Sequence, residues 1–118
     1  MTSEEREALA WAAGFFDGEG HTGFKSATRD MQVGITQKTR DVLDRFQRAV
    51  QLGNVNGPYP TKPRGRPQYF SYSVQGRRGV IEVMEKISPW LSQEKLGQYL
   101  KVRQRMEASR SSEHSPSV

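Results

Sequence analysis

Residues 12–20 read Ala-Ala-Gly-Phe-Phe-Asp-Gly-Glu-Gly and are the most informative feature of the chain. It places two carboxylates, Asp17 and Glu19, one residue apart at the end of an apolar segment. We expect a helix to stop at Gly18 and Gly20, because glycine tolerates the positive φ of a helix C-cap. Glu19 would then stand at the end of a rigid element, with no side chain on either neighbour.

The helix that leads into this stretch is predicted from residue 3 to residue 16. A capping box formed by Thr2 and Glu5 opens it. One of its faces carries almost no side-chain bulk at i, i+3, i+4, i+7 spacing, namely Ala10, Ala13, Gly14 and Asp17. A face as bare as this indicates that another backbone comes very close to the helix.

Residues 12–20 resemble the LAGLIDADG motif of homing endonucleases position by position, with Ala12 in place of the leading leucine. The resemblance implies that the helix packs against its twin at a two-fold axis, through the small-residue face just described. It also implies that Glu19 is a metal ligand, and the backbone carbonyl of Gly18 is a further candidate ligand. Without the resemblance, the same residues also fit a core helix that ends in an acidic, glycine-rich turn.

Composition favours a single domain with a polyanionic partner. The 118 residues predict one domain over 1–107 and a disordered, serine-rich tail over 108–118. The net charge is +5, and residues 59–118 hold eleven Lys and Arg against five Asp and Glu. The lack of cysteine excludes disulfides and thiolate metal sites. No membrane-spanning run or signal peptide is visible, so we expect a soluble intracellular protein without a membrane partner, in a compartment left open.

Hydrophobic periodicity predicts an α+β fold with two hairpins. The elements expected after the first helix are strands at 21–26 and 31–37, a helix at 39–50 closed by Gly53, strands at 54–59 and 68–74, a helix at 79–87 and a last helix capped by Ser92. This is the αββαββα order of a LAGLIDADG domain plus a C-terminal helix, with helices on one face of a four-stranded antiparallel sheet. The motif occurs once, which implies a homodimer with an isologous interface.

Two further segments carry the resemblance to the catalytic site. Thr36-Gln-Lys-Thr39 is similar to a segment of small family members, which implies that Gln37 orients water or contacts metal-bound solvent near the scissile phosphate. A Lys-x-x-Gln pattern at residues 95–98 implies that Lys95 steadies the transition-state charge or polarises water. This second alignment needs a one-residue shift, and without it Glu94 takes the place of the lysine.

Phosphodiester hydrolysis needs charge neutralisation on the phosphate and an activated water. Mg²⁺, or Mn²⁺ in its place, takes oxygen ligands and retains several waters. One Glu19 from each of two copies, together with phosphate oxygens, would supply such a site. Two carboxylates at that separation repel each other unless a cation lies between them, so we expect metal dependence.

Double-stranded DNA is expected to lie on the sheet face that the helices leave open. Strand parity places on this face His21, Lys25, Gln32, Thr36, Tyr69, Ser71 and Ser73. Candidates for phosphate contacts are Arg29, Lys62, Arg64 and Arg66 on loops, and Lys38 and Arg40 near the cut. Gly23 and Gly34 leave gaps on the face, which would make base readout less dense.

The sequence therefore predicts a homodimeric, Mg²⁺-dependent endonuclease that recognises a long, near-palindromic DNA site and cuts both strands. One alternative is a nuclease-dead protein on the same fold, either a maturase that binds intron RNA or a DNA-binding regulator. Retention of both acids and of Gln37 argues against a dead site. Another alternative is an interaction module in which the bare helix face packs internally, and this predicts a monomer.

Overall fold

The structure is a computed structural model that describes residues 1–25, 30–60 and 68–113, with the side chains of residues 109–113 excepted. Its elements are α1 (Ser3–Glu19), β1 (Gly20–Phe24), β2 (Met31–Gln37), α2 (Arg40–Val50), β3 (Asn54–Tyr59), β4 (Tyr69–Gln75), α3 (Arg77–Ile87), a 3₁₀ turn (Ser88–Trp90) and α4 (Gln93–Glu113). The predicted αββαββα order with a C-terminal helix is confirmed. Within the described ranges, no helix combines the length and the apolar content needed to cross a bilayer.

The four strands form one antiparallel sheet in the order β1-β2-β4-β3, so the two hairpins lie side by side. Helices pack on the face that carries the apolar parity of the central strands, including Val33, Ile35 and Tyr72, which are fully buried. The opposite parity is polar, and Thr36 on it is exposed. The alternation of side chains across the pleat therefore separates a core face from an open face.

An aromatic cluster joins the helices to the sheet at the centre of the core. Phe46 of α2 is fully buried, and its ring lies 4.8 Å from the ring of Tyr72, edge to face. The rings of Phe15 and Phe16 from α1 lie 6.1 and 6.4 Å from the Phe46 ring. These are the separations at which aromatic pairs attract one another beyond simple burial.

The end of α1 differs from the prediction. The helix includes Gly18 and ends at Glu19, and the C-cap Gly20 has an extended backbone with φ −94° instead of a positive φ. Gly20 is required for a different reason, since a Cβ there would lie 2.2 Å from the buried ring of Phe16. The chain thus passes from helix to strand without an intervening loop.

The end of α2 also differs. The left-handed residue at its C-cap is Gln51, with φ 59°, and Gly53 follows with φ 91°. A Cβ on Gly53 would lie 2.5 Å from Tyr72 Oη, which explains why glycine is needed there. The glycine therefore makes room for a side chain of the core instead of closing the helix.

Helix starts are closer to expectation. The Thr2 hydroxyl accepts a hydrogen bond from the Glu5 amide at 3.0 Å, and the Ser92 hydroxyl accepts one from the Lys95 amide at 3.3 Å. Both predicted caps are thereby confirmed. The tail predicted to be disordered from residue 108 is helical as far as Glu113, and residues 114–118 lie outside the described residues.

Replacing Tyr72 by Phe is expected to lower the free energy of unfolding by about 1–2 kcal/mol. The Tyr72 hydroxyl donates to the Leu52 carbonyl at 2.7 Å, and burial raises the pKa of this phenol, so it remains a donor. Urea denaturation measures the change. The matched control is Tyr69→Phe on the open face, where a half-exposed hydroxyl is expected to matter little. Equal losses in both variants would contradict the role given to the buried hydrogen bond.

Candidate active site and nucleic-acid interface

Glu19 and Gln37, predicted as functional partners 18 residues apart in sequence, are in direct contact. Gln37 Nε2 donates to Glu19 Oε2 at 3.0 Å. The β1–β2 register produces this contact, because Gly20 pairs with Ile35 and Gln37 lies two residues further along β2. Strand β2 therefore places the Gln37 amide beside the C-terminal end of α1.

The charge of Glu19 is poorly compensated by the residues that the structure describes. The last turn of α1 contains no basic residue, and a carboxylate at a helix C-terminus faces the negative end of the helix dipole. Among the described residues no cation forms an ion pair with Glu19, and its side chain is exposed. An anion in this position is suited to binding an external cation.

A groove of about 600 Å³ opens beside this pair. The whole Thr36–Thr39 segment lines it. The complete lining is Glu19, Thr36, Gln37, Lys38, Thr39, Gln68 and Tyr69. Among the described residues that line the groove, Lys38 is the one cation, and it is exposed. The groove therefore combines a carboxylate, an amide and an ammonium group at the edge of the open sheet face.

Lys95 reaches the same end of α1 but contacts the backbone. Its ammonium group donates to the Gly20 carbonyl at 2.6 Å, and the residue is half-buried. Glu94, the residue that the unshifted alignment selects, is exposed in the first turn of α4. The structure thus brings Lys95 to the residue that follows Glu19.

The metal-binding capacity of one chain is incomplete. Within the part of the chain that the structure describes, no group of three or more His, Cys, Asp or Glu side chains could hold a metal ion. One chain offers the Glu19 carboxylate, the Gln37 amide oxygen and the Gly18 carbonyl, all of which are oxygen ligands of the kind Mg²⁺ accepts. These residues would supply part of an oxygen-ligand site of the kind that Mg²⁺ accepts.

The predicted interface stripe on α1 divides into two parts. Ala13 is fully buried in the core, and the Asp17 carboxylate accepts from the Ser92 amide at 3.0 and 3.1 Å. Ala13 is therefore not available to a second copy, and Asp17 already binds α4. Ala10 is half-buried and Gly14 is exposed, with nothing within 4 Å of a Cβ placed on it.

Gly14 belongs instead to a different exposed stripe. Gly18, one turn further on, is also exposed and has open space around its Cβ position. Trp11 and Phe15 flank the two glycines as a stacked pair with ring centroids 5.4 Å apart, and the Arg45 guanidinium lies 3.8 Å from the Trp11 ring centroid. Small size alone did not predict this face, because alanine is also used where a helix packs closely on its own core.

The open sheet face holds the predicted DNA-contacting residues of the central strands. Cross-strand pairing aligns His21, Gly34, Ser73 and Asn54 in one row. The next row contains Thr36, Ser71 and Asn56, and Gln32 pairs with Gln75 in a third. Asn54, Asn56 and Gln75 were missed in the sequence, although the Asn-Val-Asn alternation of β3 is the signal that identifies the first two.

The two glycine gaps predicted on this face differ from each other. A Cβ on Gly34 would lie 2.9 Å from His21 Cε1, so the imidazole already covers that position. Gly23 has nothing within 4 Å of its Cβ position and leaves a real gap. Lys25 Nζ donates to Gln75 Oε1 at 3.3 Å across this part of the face.

The predicted phosphate contacts are only partly placed. Arg40 is exposed at the start of α2, where it forms an ion pair with Asp44 at 3.4 Å. Tyr69 and Lys38 line the groove beside Glu19. The remaining predicted contacts lie outside the described residues: Arg29, Lys62, Arg64 and Arg66.

Comparison with known proteins identifies the fold. No protein-family model and no curated protein sequence matches the chain. Among solved structures, the homing endonuclease I-CvuI in complex with the I-CreI target has a TM-score of 0.65 and 21% identity, over 87% of this chain and 68% of that chain. The archaeal intron-encoded homing endonuclease I-Vdi141I, complexed with DNA, has a TM-score of 0.65 and 21% identity, over 93% and 73%.

A third structure, the LAGLIDADG homing endonuclease I-GzeII in complex with its DNA target, has a TM-score of 0.67 at 14% identity. It is matched over 92% of this chain but only 38% of its own length. At these identities the likeness establishes the fold, which is that of the LAGLIDADG homing endonucleases. The predicted fold class is therefore confirmed by comparison as well as by topology.

Proposed function

We propose that this chain is one subunit of a homodimeric, divalent-cation-dependent DNA endonuclease that cuts both strands of a long, near-palindromic site. The observation that carries the proposal is the contact between Glu19 and Gln37 at the mouth of a groove on the open sheet face. The fold shared with homing endonucleases that are complexed with DNA supports it.

The chemistry assigned to each residue follows from its contacts. A bound Mg²⁺ ion would neutralise phosphate charge and lower the pKa of a coordinated water. Glu19 would hold the ion, and the Gln37 amide, which donates to one carboxylate oxygen, would fix the orientation of the other. Lys38, exposed in the groove lining, would contact a DNA phosphate.

A second copy of the chain supplies what one copy lacks. One copy supplies a single Glu19 carboxylate, whereas two copies related by a two-fold axis would supply two, with phosphate oxygens and water completing the octahedral coordination of Mg²⁺. Two exposed glycines, Gly14 and Gly18, leave α1 open to close approach by another backbone. The dimer would place two open sheet faces along one duplex, which is why the target is proposed to be near-palindromic.

A cleavage assay on a DNA library with randomised sites tests the proposal. We expect specific double-strand cleavage with Mg²⁺ or Mn²⁺ and none after chelation by EDTA. Tight binding to DNA without cleavage would instead indicate a DNA-binding regulator. Preferential binding to structured RNA would indicate a maturase.

Replacing Gly14 by Ala is expected to weaken self-association about tenfold or more, because one extra methyl group overpacks a close helix contact. The monomer itself gains helix propensity from this change. Sedimentation equilibrium measures the dimer dissociation constant. The matched control is Gly97→Ala on α4, a second helical position where a Cβ meets nothing within 4 Å. Unchanged association in the Gly14 variant would contradict the proposed α1 interface.

A further inference from the structure

The N-cap residue Ser92 and the first turn of α4 hold the chain on both sides of Glu19. On the amino side, the Asp17 carboxylate accepts from the Ser92 amide at 3.0 and 3.1 Å. On the carboxyl side, the Lys95 ammonium donates to the Gly20 carbonyl at 2.6 Å. The backbone that carries the carboxylate is therefore anchored two residues before it and one residue after it.

A third contact from α4 closes the outer edge of β1. The Lys25 amide donates to the Asp30 carbonyl across the hairpin. The backbone N–H and C=O groups of the odd-numbered residues of β1 therefore point toward β2. The backbone groups of Thr22 consequently point away from the sheet. Gln98 Oε1 accepts from the Thr22 amide at 3.3 Å. Thr22 is only 6% exposed, so its N–H has little access to water as an alternative partner.

Lys95 and Gln98 act on this edge as a pair. They are three residues apart on α4, so both side chains lie on the same side of the helix. One satisfies the Gly20 carbonyl and the other the Thr22 amide, two residues apart along the edge strand. The groove beside Glu19 is lined by other residues, so Lys95 and Gln98 contact the edge strand and not the groove.

We propose that Lys95 and Gln98 are positioning residues for Glu19. They fix the backbone on its carboxyl side and thereby set the affinity of the carboxylate for a divalent cation, without contact to the reacting phosphate. The inference rests on the proposed nuclease function, and it differs from the direct role in charge stabilisation that the family resemblance implies for Lys95.

The experiment compares Gln98→Met, which removes the acceptor, with Gln98→Glu, which retains one. In Gln98→Met we expect the Mg²⁺ concentration for half-maximal cleavage to rise about fivefold, which corresponds to about 1 kcal/mol. The cleavage rate at saturating Mg²⁺ is expected to stay within about twofold of wild type, since the reacting groups are untouched. Exchange of the Thr22 amide hydrogen should accelerate about fivefold, because that group loses its partner. Gln98→Glu should restore the Mg²⁺ requirement and the Thr22 exchange rate, and its saturating cleavage rate should also stay within about twofold of wild type.

Lys95→Met and Lys95→Arg form the second pair, in which arginine retains a donor for the Gly20 carbonyl. We expect the methionine variant to show the same rise in Mg²⁺ requirement and the arginine variant to reverse it. The matched control is Gln104→Met, an exposed glutamine of α4 that is expected to change none of these values. A large fall in the saturating rate of Lys95→Met, at an unchanged Mg²⁺ requirement, would place Lys95 at the reacting phosphate and overturn the proposal. So would unchanged Thr22 exchange in Gln98→Met.

The proposal and the nuclease function fail in different ways. If the wild-type chain cleaves no DNA, the nuclease function is overturned, and Mn²⁺ binding by the full chain with a DNA duplex, measured by electron paramagnetic resonance, replaces cleavage as the readout. About fivefold weaker Mn²⁺ binding in Gln98→Met, reversed in Gln98→Glu, supports the positioning role. Equal Mn²⁺ binding in wild type and Gln98→Met overturns it.

Discussion

Replacing Glu19 by Gln is expected to lower the rate of Mg²⁺-dependent DNA cleavage by at least about a hundredfold, because the proposed metal site loses both of its charged ligands. The exposed glutamine keeps the shape of the side chain, so DNA affinity and the fold should persist. The measurement is the single-turnover cleavage rate of a target selected from the library, with binding followed in parallel in Ca²⁺.

The same substitution should leave the chain slightly more stable. Glu19 is an anion at the C-terminal end of α1, and its removal is expected to raise the free energy of unfolding by about 0.3–1 kcal/mol. A gain in stability together with a loss of activity is characteristic of a residue retained for function. The control is Glu94→Gln, an exposed acid at the start of α4 that should leave cleavage intact. Cleavage at the wild-type rate by the Glu19 variant would refute the proposed site.

Replacing Phe46 by Ala is expected to destabilise the fold by about 3–5 kcal/mol. Its ring is fully buried and lies between the rings of α1 and Tyr72, so truncation leaves a cavity that joins three elements. Since small domains are stable by only about 5–15 kcal/mol, much of the margin would be lost. Urea denaturation of the purified variant measures the change.

The matched control for this variant is Phe70→Ala at the start of β4. Phe70 is only half-buried and packs at the edge of the core, so a smaller loss is expected. Equal losses in the two variants would show that the aromatic cluster is not the centre of the core. A loss below about 1 kcal/mol for Phe46→Ala would show that the site collapses around the missing ring.

Local sequence signals accounted for most of the fold. The periodicity of α2, the alternation in β2 and the caps at Thr2 and Ser92 each depend on residues close in sequence, and each was confirmed. The pairing of Glu19 with Gln37 could also be predicted from the sequence, because a short hairpin fixes the strand register that brings them together.

Features that depend on residues far apart in the sequence could not be predicted in this way. The buried face of α1 is set by helices and strands that follow later, so small residues at 10, 13 and 14 could not be divided into core and surface from size alone. The contact of Lys95 with the Gly20 carbonyl spans 75 residues and leaves no local pattern. Gly20 itself was predicted from the positive φ of a helix C-cap, whereas the ring of Phe16 is what requires glycine there.

Because α1 passes directly into β1, we expect the helix and the sheet to move as one rigid unit. Glu19 is the last helical residue and Gly20 the first of the strand, so no loop separates the proposed interface from the open sheet face. In a pair of such chains, the angle at which the two helices cross would determine how far apart the two carboxylates stand. The stagger between the cuts on the two DNA strands would then depend on how the two helices pack at Gly14.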